Sequence, residues 1–131
     1  MARRIRLDQI GEYAEDKLNQ LMRVVVLETD AELKARSPVD TGRFRASWAI
    51  GENQIGNYDA GPSQSTAPVT LNYMLGSEKI TNVYNIHNSL PYAEPLANGS
   101  SKQANAGWVD LVAKQMSKRA RQLADSLGRK D

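Results

Sequence analysis

Residues 7–36 contain no proline and a single glycine, Gly11, and their apolar residues return at helical steps. Leu7, Ile10, Ala14, Leu18, Leu21 and Val25 recur every three or four residues and mark one stripe. Glu12, Glu15, Asp16, Lys17 and Arg23 fall largely off it. The pattern predicts one long helix, with Asp8 as a candidate N-cap. At 1.5 Å per residue it would span about 45 Å. That is long for a chain of 131 residues and leaves room for a break. Residues 24–27 are apolar all round, which points to deeper burial there. The helix should stop at Ser37-Pro38, because the residue before a proline avoids the α region.

A turn is expected next. In Ser37-Pro38-Val39-Asp40-Thr41-Gly42, Pro38 fixes its own φ, Asp40 can accept local backbone hydrogen bonds and Gly42 permits positive φ. Phe44, Ala46, Trp48 and Ile50 then alternate with Arg45, Ser47 and Ala49, the period-2 pattern of a strand with one buried face. Residues 51–68 are rich in Gly, Asn, Ser, Gln and Pro and read as a long loop or arm. Residues 69–75 fit a short helix or a strand equally. Ile80, Val83, Tyr84 and Ile86 make 79–87 a second strand, and 92–97 reads as a helical turn or two. Residues 98–107 form another Gly/Ser/Asn-rich connection. Trp108, Val112, Met116, Ala120, Leu123 and Leu127 make the stripe of a final helix, stopped by Gly128.

This order of elements predicts an α+β domain. A long N-terminal helix and a C-terminal helix pack on a small antiparallel sheet. The whole chain, 1–131, is expected to form a single domain, with 51–68 and 98–107 as flexible loops or arms. Phe44, Trp48, Tyr92 and Trp108 are the expected core anchors, since the chain has one Phe and two Trp.

Little in the sequence carries chemistry. The absence of cysteine removes disulfides, thiolate catalysis and Cys-based zinc sites. His87 is the single histidine and sits among strand-end residues, so a Ser-His-Asp constellation or a His-rich metal site has no pattern behind it. Gly51 and Gly56 have the spacing of a phosphate loop but lack its Lys-Ser/Thr. No cofactor, metal or catalytic residue is expected. The longest apolar run has four residues, so no membrane partner is expected either. The net charge of +2 is mild, with cations crowding both ends of the chain. A small nucleic-acid-binding module using those basic ends is therefore the alternative reading.

Two segments resemble one family. Ser37-Pro38-Val39-Asp40-Thr41-Gly42-Arg43-Phe44-Arg45-Ala46-Ser47-Trp48 is similar to the turn that follows the long first helix of the tail-completion, or head–tail joining, proteins of long-tailed bacteriophages. In that family a small residue, Pro-x-Asp-Thr-Gly, a hydrophobic residue and a serine recur at these spacings. Leu90-Pro91-Tyr92-Ala93-Glu94-Pro95-Leu96-Ala97-Asn98-Gly99-Ser100-Ser101 resembles the family's downstream Tyr-Ala segment, which precedes an amphipathic C-terminal helix. Asn98 stands where the family more often has an acid, and Gly107-Trp108 where it often has Pro-Phe.

The resemblance implies a non-enzymatic virion protein of the neck. It implies an α+β subunit that forms a ring, hexameric by family analogy, made in the host bacterial cytoplasm. Its partners would be further copies of itself, connector proteins, and tail-tube or tail-terminator proteins, with DNA passing through the lumen. Pro38, Asp40, Thr41 and Gly42 would set the turn. Arg43, Arg45, Lys102, Arg119 and Arg121 are the candidate interface or DNA-facing residues.

Overall fold

The computed structural model describes residues 7–37, 42–90, 93 and 107–128. Pro38, Asp40, Thr41, Tyr92 and Lys102 lie outside these residues, as does the connection 98–106. The elements are α1 (Leu7–Arg36), α2 (Arg43–Ala46), β1 (Trp48–Glu52), β2 (Tyr84–Asn88) and α3 (Trp108–Gly128). The architecture is α+β: two long helices and a two-stranded antiparallel sheet.

Helix α1 runs 30 residues without a break. It begins at Leu7, so Asp8 belongs to its first turn and is not the cap. Its buried face differs from the expected one. Val26, Asp30, Leu33, Lys34 and Ser37 are buried, whereas Val24 is 40% exposed. Residues 24–27 are therefore not buried all round; the fold covers one side of the helix only. Helix α3 packs beside α1 and antiparallel to it. Trp108 and Val112 share a cluster with Leu33, whereas Arg119, further along α3, pairs with Glu28.

The strand expected from Phe44 starts later. Gly42 adopts φ 75°, ψ −18°, and the Ala46 N–H then bonds back to the Gly42 carbonyl at 3.0 Å, closing a helical turn. Phe44 and Trp48 are four residues apart as well as alternating, so their spacing also serves a turn of helix. β1 begins only at Trp48.

In β1 both parities are buried, because the sheet is covered twice. Trp48 and Ile50 face the helices, with Ile86 beside them as the partner of Ile50. Ala49 and Gly51 face the other way, where the chain from Gln54 onward lies on the sheet. A Cβ on Gly51 would stand 2.2 Å from the Gln54 carbonyl oxygen. The segment expected as a projecting arm is thus a covering layer, tied down at several points.

The second expected strand also shrinks, to Tyr84–Asn88. Residues 79–82 make a turn, with Asn82 N–H on the Lys79 carbonyl at 3.1 Å. The ambiguous 69–75 stretch is neither helix nor full strand. Thr70 makes one parallel bridge to Ile50, flanked by Ile50 N–H to Val69 O at 2.8 Å and Leu71 N–H to Ile50 O at 3.0 Å. Beyond it, side chains take over backbone duties. The Asn72 amide accepts from Glu52 N–H and donates to Glu52 O, both at 2.7 Å.

Candidate assembly site

The described part of the turn segment is a set of small residues, each with a physical task. Ser37 closes α1: its hydroxyl donates to the Leu33 carbonyl at 2.6 Å and accepts Trp48 Nε1–H at 2.7 Å. One serine thus ties the end of α1 to the start of β1. Ser47 is fully buried, and its hydroxyl accepts the Ala60 N–H at 3.0 Å, pinning the covering layer. Asn88 Nδ2 donates to the Phe44 carbonyl at 2.8 Å, locking α2 to β2. Around this frame Phe44, Trp48 and Trp108 meet edge-to-face with ring centroids 5.8 to 6.3 Å apart. Leu33, Leu90, Val112 and Met116 complete the cluster. Aromatic pairs in this geometry add about 0.5–1.5 kcal/mol beyond their burial.

A buried ion pair lies beside it. Lys34 Nζ donates to Asp30 Oδ2 at 2.8 Å and to the Thr66 and Ala67 carbonyls at 3.1 and 2.9 Å. All three ammonium protons are used, and 66–67 is held against α1. Burial pushes the Asp30 carboxyl up from its ordinary value against the opposing pull of Lys34. Sequence reading assigned Asp30 no role. The available signal was its place at helical spacing with Val26, Leu33 and Ser37, four residues before a lysine.

Arg43 and Asp59 form an exposed bidentate pair, through Nε to Oδ1 at 2.9 Å and Nη2 to Oδ2. The arginine, together with the Gly61 N–H, holds the Asp59 carboxyl down at about 2. Arg43 thus ties α2 to the covering layer. Arg45 is half-buried, with Nε lacking a partner among the described residues. His87 Nε2 lies 2.8 Å from the Gly56 carbonyl and Nδ1 3.2 Å from that of Asn85, a structural bridge to the same layer.

Between α1 and α3 runs a groove of about 460 Å³ walled by Glu28, Glu32, Gln115, Met116 and Arg119. Arg119 spans it to Glu28, with Nε and Nη2 at 3.2 and 3.3 Å from the two carboxylate oxygens. Arg121, which sequence reading grouped with Arg119, is exposed on α3. At the far end of the sheet Tyr73 and Tyr84 stack edge-to-face at 5.3 Å, and the Tyr84 hydroxyl donates to Glu52 Oε2 at 2.8 Å. Burial and the neighbouring Glu78 carboxylate push the Tyr73 phenol up, which keeps it neutral. Among the described residues no group of three or more His, Cys, Asp or Glu is placed to hold a metal ion. No described helix is long and apolar enough to cross a membrane. No family model, curated protein or solved structure matches this chain.

Proposed function

We propose that this chain is a structural subunit of the neck of a long-tailed bacteriophage, completing the tail or joining it to the head as one member of an oligomeric ring, without catalysis. The observation that carries the reading is the turn segment 37–48, placed at the end of a 30-residue helix and matched in sequence to the neck family. The geometry supports it physically. Ser37, Gly42, Phe44, Ser47 and Trp48, all residues of the resembling segment, build the joint between helix, sheet and covering layer. A subunit that transmits load between head and tail needs such a joint to be stiff.

The partners of this reading are other copies of the chain, connector and tail-tube or tail-terminator proteins, and DNA in the lumen. The test is a stop codon early in the gene of the parent phage, followed by electron microscopy of the lysate. Filled heads and separate tails are the expected outcome. Normally joined particles would overturn the assignment.

A further inference from the structure

The two long helices are offset, and the offset separates opposite charges. Arg119 is level with Glu28 and α3 runs antiparallel to α1, so the last residue of α3, Gly128, is level with about residue 19 of α1. Helix α1 continues to Leu7, about 18 Å past the end of its neighbour. The protruding stretch is acidic: residues 8–16 carry Asp8, Glu12, Glu15 and Asp16 and no cation. Glu15 and Asp16 are exposed, and Leu18, one turn on from Glu15, is 37% exposed.

Helix α3 carries the complement. Residues 114–121 hold four cations and no acid. Glu28 engages Arg119. Lys114, Lys118 and Arg121 follow at steps of four and three, which places them in one row, and all three are exposed. Leu111, one turn before Lys114, is 55% exposed on the same side. Each patch thus pairs like charges with an uncovered leucine, and the two patches have opposite sign.

They cannot meet within one subunit. Glu15 is about 20 Å along α1 from Glu28, where the basic row begins. That is about twice the Debye length at 0.1 M salt. We infer that the acidic end of α1 in one copy docks on the Leu111–Lys114–Lys118–Arg121 face of α3 in the next. The contact is head-to-tail, leaves one free patch of each sign on every pair, and propagates until the rotation closes a ring. Charge complementarity fixes its direction, because acid-to-acid and base-to-base pairings repel. This deepens the proposed function by supplying its ring with a subunit contact.

The test uses the purified full chain in analytical ultracentrifugation. Wild type self-associates at about 50 mM salt, and its apparent dissociation constant rises at least about tenfold by about 500 mM. Reversal of the acidic patch (Glu15→Lys with Asp16→Lys) or of the basic row (Lys114→Glu with Lys118→Glu) leaves a monomer with unchanged helix content. Mixing the two reversed proteins restores association, since each then complements the other; a merely structural defect would not be rescued this way. A wild type that stays monomeric at every salt and concentration overturns the contact, as do reversed variants that associate like wild type. A monomeric wild type that binds a short DNA duplex through Lys114 and Lys118 gives the row to nucleic acid instead. None of these failures touches the neck assignment, which head–tail joining in lysates decides separately.

Discussion

At the scale of single residues, the joint after α1 concentrates the constraints. Gly42 sits at φ 75°, and a Cβ there would approach the Gln64 side chain to 3.1 Å. Gly42→Val combines a conformation that β-branched residues avoid with that contact, and is expected to destabilise by about 2 kcal/mol or more. Chemical denaturation with an unchanged slope would measure it. The buried pair makes a sharper case. Lys34→Ala strands the Asp30 charge and three oxygen acceptors, at a cost of about 3–5 kcal/mol. The double replacement Asp30→Leu with Lys34→Met removes both charges and should recover most of that loss. A Lys34→Ala variant within about 1 kcal/mol of wild type would show that the pair does not anchor 66–67.

Two carboxyls respond to pH with opposite sign. Asp59 is held down at about 2, so its contribution is complete above the ordinary carboxylate value and is lost as pH falls from about 4 towards 2. Asp30 is pushed up, so its contribution is present below the ordinary value and is lost as pH rises through its raised one. Asp59→Asn should flatten the acid limb of the plot of Tm against pH while leaving the neutral region nearly unchanged. An acid limb identical to wild type would contradict the Arg43–Asp59 geometry.

At the scale of elements, the short β1 owes its place to what lies on both sides. Trp48 supplies apolar bulk to the helix side and its indole N–H to Ser37. Ala49 and Gly51 let the covering chain approach on the other side. Gly51→Ala puts a methyl 2.2 Å from the Gln54 carbonyl and so pushes the layer off the sheet. Faster exchange of the Ala60 amide, which bonds to Ser47, would report that displacement. Trp48→Phe keeps most of the packing and loses one buried hydrogen bond, about 1 kcal/mol. The strand is faint in sequence because much of its pairing is not strand backbone. Asn72 and Asn53 bond the end of β1 and its continuation through their side-chain amides, and such contacts leave no periodic trace.

At the scale of the whole molecule, the core is shared by elements distant in the chain. Leu33, Phe44, Trp48, Leu90, Trp108, Val112 and Met116 form one cluster. Helix α3 contributes Trp108, Val112 and Met116, all from its first half. Truncation before Trp108 should therefore abolish cooperative unfolding. Truncation after Gln122 removes mostly exposed positions and should leave a folded protein with a modestly lower Tm. Cooperative melting of the shorter fragment would mean that α3 is an accessory to the core. The same layout leaves the N-terminal half of α1 projecting past α3, and the exposure of Glu15, Asp16 and Leu18 follows from it.

The sequence by itself determined both long helices, the break after residue 36 and the α+β class. Those features rest on local periodicity, caps and the proline rule, which act over a few residues. The tertiary structure decided where the strands begin and end, which face of α1 is buried, and what the Gly-rich segment 53–68 does. Those outcomes depend on contacts between residues far apart in the chain, such as Lys34 with Ala67 and Ser47 with Ala60. Composition reads such a segment as an arm because it lacks aliphatic residues. It becomes a layer because its backbone groups find partners on the sheet and on α1, and hydrogen bonding of that kind has no hydrophobic pattern to announce it.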